Sequence, residues 1–341
     1  MSRFTLPRTV PSSPVLALAL ALAGTLAACN GGASPSPSGP VASGPLGSGS
    51  AACPTAASVP DDLEGWGPPA TAPTITPVLI ASPGQLVCGP NRVLFTFTDA
   101  TGRPVGAPDR TASLALYDLA SSPTTPIATV QGTFVWAIED KTGIYITNVT
   151  FPEAGRYGAE FVTEAPTGEP ETIRLTFDVQ PTSAVVKVGD KAPASKTPTL
   201  ADAGGDATKL STDANPDPQL YETSVDRAIA DHKPFVLIFA TPKFCTSQQC
   251  GPTLDRIKPF IAQYPSVTFI NVEPYKLKLV DGVLTADVDA NNQLQTTAVT
   301  DGWHLFNEPA VYVVDKTGTV TASFELIFSD DELTTALDAV K

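Results

Sequence analysis

Several things that common functional classes require are scarce in this chain. It has one methionine, the initiator, and two histidines, His232 and His304. A metal site built on thioethers or on several imidazoles is therefore excluded. Charge is sparse and lopsided, with 21 basic against 35 acidic side chains and a net charge of −14. No basic cluster interrupts that balance, so a nucleic-acid surface, which needs a positive footprint, is disfavoured. Thirty-four prolines in 341 residues leave little uninterrupted sequence for long helices. The material that remains suits strands, turns and linkers, in enough chain for two domains of ordinary size.

The N-terminus carries Arg3 and Arg8, then an apolar run from Val15 to Leu26. A run of that length is too short to span a bilayer as a helix and fits the core of a signal peptide. It ends in Leu26-Ala-Ala-Cys29, which resembles a bacterial lipobox. The resemblance implies cleavage before Cys29, a lipid on its thiol, and a protein held to the cell membrane facing outside the cytoplasm. A plain secretory signal with an incidental Cys29 is the alternative. Residues 1–28 are thus assigned to the signal peptide. Residues 29–70, rich in Gly, Ser, Pro and Ala up to Pro60, are assigned to a flexible tether.

Residues 71–187 show short β-type runs separated by turn residues. Candidate strands are Val78–Ile80, Val93–Phe97, Ser113–Tyr117, Ile127–Gln131, Ile144–Thr150, Arg156–Thr163 and Thr172–Val179. Turn chemistry recurs in Asp99-Ala-Thr-Gly102, Asp140-Lys-Thr-Gly143 and Ala165-Pro-Thr-Gly168. About seven strands at this spacing predict an antiparallel β-sandwich. Pro152-Glu-Ala-Gly-Arg-Tyr157 resembles the corner of an immunoglobulin-like domain, although residue 159 is Ala rather than the usual cysteine. Trp136 reads as packing on a sheet face or as a ligand platform. This region holds no histidine and no grouped carboxylates, so it predicts a spacer or a partner-binding module.

Residues 188–219 read as a linker and residues 220–341 as a second domain. That domain centres on Phe235–Ala240, an apolar run bounded by turn residues and therefore a buried strand. Cys245 and Cys250 follow, then an amphipathic helix through Leu254, Ile257, Phe260 and Ile261. Thiols at a helix N-terminus are favoured as thiolates by unpaired N–H groups and the positive end of the dipole. In one continuous helix, residues five apart would hold their Cα atoms roughly 8–9 Å apart, beyond disulfide reach. A bond therefore requires Cys245 in the turn and Cys250 in the first helical turn. Lys243 lies close in sequence and is expected to favour the Cys245 thiolate. Further on, a hairpin is expected around Asp281-Gly282, a short helix over Leu294–Gly302, and a capping box at Ser329-Asp-Asp-Glu332.

The strand, the two cysteines and the helix, with Glu308-Pro309 before an apolar strand and Lys316-Thr-Gly318 before another, resemble the thioredoxin-like fold. The resemblance is to its membrane-anchored, TlpA-like branch of thiol–disulfide oxidoreductases. It implies two domains, an all-β immunoglobulin-like sandwich followed by an α/β thioredoxin-like domain. It further implies that Cys245 attacks, Cys250 resolves, and Glu308 and a cis Pro309 dock the partner. Partners would be extracytoplasmic protein thiols or disulfides, with no cofactor. The family pattern is Cys-x-x-Cys, whereas four residues separate the thiols here. Two alternatives stand. Copper binding of the Sco type would use Cys245, Cys250 and His304. A structural or interaction lipoprotein would carry an inert disulfide. With Cys29 lipidated, Cys53 and Cys88 remain as a second pair.

Overall fold

The computed structural model describes residues 53–81 and 85–341. The described residues all belong to one compact unit, Ser48–Lys341. The signal peptide, Cys29 and most of the tether lie outside the described residues.

Eight strands come first. They are β1 (Ile75–Ile80), β2 (Gly89–Asp99), β3 (Thr111–Asp118), β4 (Ala128–Gln131), β5 (Thr133–Ile138), β6 (Thr142–Phe151), β7 (Gly155–Glu164) and β8 (Glu171–Val179). They form two antiparallel sheets in the orders β1-β2-β6-β5 and β4-β3-β7-β8. Side chains from both sheets share one core around Phe95, Phe97, Leu114, Leu116, Tyr145, Tyr157 and Phe161. Phe95 stacks on Tyr145 at 5.4 Å and meets Phe161 at 5.1 Å, so aromatic packing stitches the layers together. The Tyr157 hydroxyl donates to Glu153 O at 2.9 Å, and burial pushes its ionisation up to about 12.

Strand β5, which contains Trp136, was not among the sequence candidates. One residue, Gly132, separates it from β4, too few to turn a hairpin. The chain instead steps from one sheet to the other. A Cβ at Gly132 would lie 2.8 Å from the Phe95 ring and 2.9 Å from Tyr145, so only glycine passes there.

The remaining residues form a mixed sheet, β10-β9-β13-β14, from β9 (Phe235–Phe239), β10 (Thr268–Val272), β13 (Ala310–Val314) and β14 (Val320–Glu325). Strands β9 and β10 pair in parallel and the others antiparallel. A separate hairpin joins β11 (Leu277–Val280) and β12 (Val283–Ala286). Asp281 and Gly282 turn it, both with positive φ, as a two-residue type I′ connection requires. The helices are α1 (Val225–Ala230), α2 (Cys250–Gln263), α3 (Ala298–Gly302) and α4 (Asp330–Asp338). Helix α4 starts at a capping box in which Ser329 and Glu332 each satisfy the other's backbone N–H.

These elements correct the expected fold class. The immunoglobulin-like sandwich followed by an α/β thioredoxin-like domain gives way to a predominantly β fold. The described residues hold fourteen strands in four sheets against four α-helices, of which only α2 and α4 exceed six residues. The physical reason is that helical runs are cut short. The helix expected from Leu294 begins only at Ala298, because Leu294 is bridged to Val288 and Thr296 to Tyr275 in extended conformation. A strand–turn–helix signature is a local pattern, and the class depends on everything laid around it.

Residues 188–219 pack closely. Gly189 N donates to Val320 O at 2.9 Å, Lys191 pairs with Thr319, and Thr197, Ala207 and Ser211 are buried. Two arginines tie the sandwich to the later residues. Arg92 on β2 makes a two-pronged pair with Glu332 on α4 and donates to Ile327 O at 2.7 Å. Arg256 on α2 donates to Phe328 O and, at 3.5 Å, to Trp136 O.

Candidate functional site

Strand β9 is buried along its whole length and ends at Phe239. The chain turns through Thr241 to Gln249, and Cys250 is the first residue of α2. Cys245 lies in the turn, with its Cα 6.1 Å from that of Cys250, and the two are disulfide-bonded. The sulfurs sit in unlike surroundings. Cys250 is fully buried among Val236, Ile238, Leu254 and Ile257, whereas Cys245 is only half-buried at the edge of that cluster.

Polar groups converge on Cys245. The Cys250 N–H donates to its Sγ at 3.3 Å, and Ser247 Oγ stands 3.3 Å away. Ser247 Oγ also donates to the carbonyl of Glu308 at 3.0 Å. A hydroxyl between a sulfur and a carbonyl has two places to send its proton, and a negative sulfur is the stronger attractor. With the helix N-terminus behind them, these donors form a cradle for a Cys245 thiolate.

The Glu308-Pro309 peptide is cis and leads into β13, which pairs with β9. It therefore faces the cysteine turn. Glu308 is buried, not displayed to solvent. Tyr275 OH donates to its Oε2 at 2.9 Å and Thr246 N approaches its Oε1 at 3.4 Å. Burial and the neighbouring carboxylate push the Tyr275 phenol well above its ordinary ionisation range. The carboxylate is thus occupied in holding the turn that spans the two cysteines.

Lys243 does not serve the sulfur as expected. Its ammonium donates to Leu284 O at 2.8 Å, fastening the β11–β12 hairpin beside the turn. That hairpin exposes Leu279, Val280 and Val283. His304 follows α3 with positive φ. Among the described residues, no group of three or more His, Cys, Asp or Glu side chains converges to hold a metal ion, so Cys245, Cys250 and His304 are not assembled into a ligand set. Cys53 is bonded to Cys88, 35 residues away, with Cα atoms 6.0 Å apart.

One buried acid escaped the sequence reading. Glu273, directly after β10, lies below the turn and is buried. Its Oε1 accepts from Thr212 N and, at 2.8 Å, from Thr212 Oγ1, and Lys243 N donates to the same hydroxyl at 3.2 Å. Burial raises its ionisation above the usual carboxylate range, against the pull of the Thr241 and Thr212 hydroxyls. The available signal was a charged residue closing a wholly apolar strand.

No known protein family matches the sequence, and no curated protein does. Among the solved chains that share part of it are two of bacterial origin. One is a DUF4426 family protein of Pseudomonas aeruginosa, 10% identical, covering 32% of this chain and 91% of its own, with a TM-score of 0.23. The other is a conjugative transposon lipoprotein of Bacteroides eggerthii, 14% identical, covering 31% of this chain and 98% of its own, with a TM-score of 0.17. The resemblance drawn from the cysteine motif is set aside with the fold class that it implied, because the described residues form a predominantly β fold. No helix of the described residues is long and apolar enough to cross a membrane.

Proposed function

We propose that this chain exchanges disulfides with a cysteine-bearing protein outside the cytoplasm, through Cys245 and Cys250, while a lipid on Cys29 holds it to the membrane. The observation that carries the reading is the asymmetry of the pair. One sulfur is reachable and supplied with donors, and the other is sealed in the core. The lipid anchor rests on Leu26-Ala-Ala-Cys29 in the sequence.

Starting from the disulfide, a partner thiolate attacks Cys245 Sγ. The Cys245–Cys250 bond breaks, Cys250 leaves as a thiolate that takes a proton from solvent, and a mixed disulfide with Cys245 forms. A second partner thiolate attacks the partner sulfur of that bond. Cys245 then leaves as a thiolate into the donors of Cys250 N–H and Ser247. The partner gains one disulfide and this chain becomes a dithiol, a transfer of two electrons. With a partner disulfide the same steps run backwards.

The test is a thiol–disulfide exchange assay on the soluble chain from residue 30 onward, using a reduced, unfolded cysteine-containing protein, with glutathione disulfide supplied to restore the Cys245–Cys250 bond after each turn. Wild type is expected to turn over. Cys245→Ser is expected to be inactive, and Cys250→Ser, offered the same protein with its cysteines disulfide-bonded, to accumulate a mixed disulfide through Cys245. A wild-type Cys245–Cys250 bond that neither forms nor breaks in the presence of such partners would leave an inert structural crosslink instead.

A further inference from the structure

Few large apolar side chains of the described residues are open to solvent. Seven are, and four of them, Leu279, Val280, Val283 and Phe306, belong to two segments tied to the cysteine turn. Single exposed apolar residues need no explanation, whereas their gathering beside a reachable sulfur does. Val280 and Val283 are cross-strand partners, so they share one face of the β11–β12 hairpin with Lys278 and Thr285. They are 45% and 55% exposed. Leu279 pairs with the buried Leu284 on the opposite face and is still 47% exposed, so the tip is apolar on both sides.

Hydrogen bonds fix both segments to the turn. Lys243, two residues before Cys245, holds Leu284 O at 2.8 Å. Tyr275, two residues before β11, donates to Glu308 Oε2, and Thr246 N donates to Oε1 of the same buried carboxylate. Glu308 thus joins the base of the hairpin to the residue after Cys245. Phe306 precedes Glu308 by two residues, at most about 7 Å along the chain. The hairpin base is closed by Lys276 N on Gln295 O at 2.7 Å and Asp287 N on Lys276 O at 2.9 Å. The base is held while the tip stays exposed.

We propose, resting on the exchange reading of Cys245, that the hairpin tip and Phe306 receive the residues flanking the partner's cysteine. The partner is an extended, unfolded segment with aliphatic side chains beside that cysteine. A thiolate that attacks a half-buried sulfur must come within bonding distance, and the chain carrying it then lies over whatever borders the turn. An extended chain advances about 3.3 Å per residue, so residues two to five places from the cysteine lie about 7–17 Å from it. Aliphatic neighbours of a cysteine are open to solvent while the chain is unfolded, because folding buries them. Valine, leucine and phenylalanine side chains offer no donor or acceptor, so this surface selects by apolar burial.

The test follows release of thionitrobenzoate when the reduced chain from residue 30 onward meets peptides whose single cysteine carries that group as a mixed disulfide. Cys245 attacks the peptide sulfur, thionitrobenzoate leaves as the anion, and the rate that Cys245→Ser lacks is the rate counted. One peptide of about nine residues flanks its cysteine with valine and leucine, and a second with serine and asparagine. Glutathione carrying the same group gives the reference rate for each variant. The apolar peptide is expected to react about tenfold or more faster than the polar one. Val280→Ser with Val283→Ser, checked for an unchanged melting temperature, is expected to remove most of that ratio. If this variant does not fold, Phe306→Ser carries the expectation, with the ratio reduced about threefold. Equal rates for the two peptides, in a chain that reacts with glutathione, would overturn this proposal and leave exchange standing. So would folded variants that keep the full preference, including any that lose instead the binding of phosphatidylglycerol vesicles. Failure of Cys245 to react with glutathione and with both peptides would overturn the exchange reading as well.

Discussion

The two disulfides have nearly the same span, with Cα separations of 6.0 Å for Cys53–Cys88 and 6.1 Å for Cys245–Cys250, yet they stand in opposite settings. The first closes a long loop at the rim of the sandwich, where Cys53 Sγ has a carbonyl, Pro54 O, at 3.5 Å and no backbone donor among the described residues. The second closes a five-residue turn and is met by an N–H and a hydroxyl. A sulfur facing a carbonyl has nothing to hold it as an anion. A sulfur facing donors at a helix start does. The comparison teaches that chemistry is assigned by what surrounds a bond rather than by its span, and that a crosslink and the proposed exchange pair can share one Cα separation.

The largest effect expected to sharpen this contrast is on exchange itself. Cys245→Ser should lower turnover by roughly a thousandfold or more, while Cys53→Ser with Cys88→Ser leaves it near wild type. Equal losses in the two would break the comparison. The next effect runs the other way, on stability. Removing the Cys53–Cys88 crosslink, whose loop spans 35 residues, should cost about 3–4 kcal/mol in denaturant unfolding. Reducing the short Cys245–Cys250 turn should cost less, and the order of the two midpoints is the check.

A smaller effect probes the join between the two regions. Glu325 lies across from Arg92, and burial pushes its carboxyl up to about 7 despite that cation. Its folded pKa is raised above the unfolded value of 4.5. The unfolded chain therefore sheds this proton first, and stability falls as pH rises from about 4.5 through about 7, by at most roughly 3 kcal/mol. Glu325→Gln should flatten that slope in melts from pH 5 to pH 8, and an unchanged slope would assign it to other carboxyls. The smallest effect concerns Ser247. Ser247→Ala removes one of the donors to Cys245 and should move the pH profile of attack upward, slowing exchange at neutral pH by about tenfold and little at high pH. A uniform loss at all pH values would mark a structural role instead.

The parts of this site that were legible in the sequence are the short-range ones. A helix of ideal spacing forbids a disulfide between residues five apart, so Cys245 had to precede α2 and Cys250 had to begin it, as they do. Ser329 and Glu332 form their capping box within one turn. Asp281-Gly282 turns its hairpin for the same local reason. The partners of the thiol were not legible. Ser247, beside the Cys245 sulfur, is held in place by the carbonyl of Glu308, 61 residues further on, and Tyr275 reaches Glu308 across 33 residues. Lys243, adjacent in sequence and expected at the sulfur, is drawn to the hairpin carbonyl of Leu284.

The sequence by itself determined where two thiols meet a helix start, where the turns and caps fall, and which runs are buried strands. Each follows from backbone geometry over a few residues. Tertiary structure alone decided that the fold is predominantly β, that Gly132 carries the chain between sheets, and that Glu308 and Glu273 end up beneath the cysteine turn. The physical reason is that burial and hydrogen bonding are settled by which distant segments share a layer. A pattern that repeats every two or four residues carries no record of that choice.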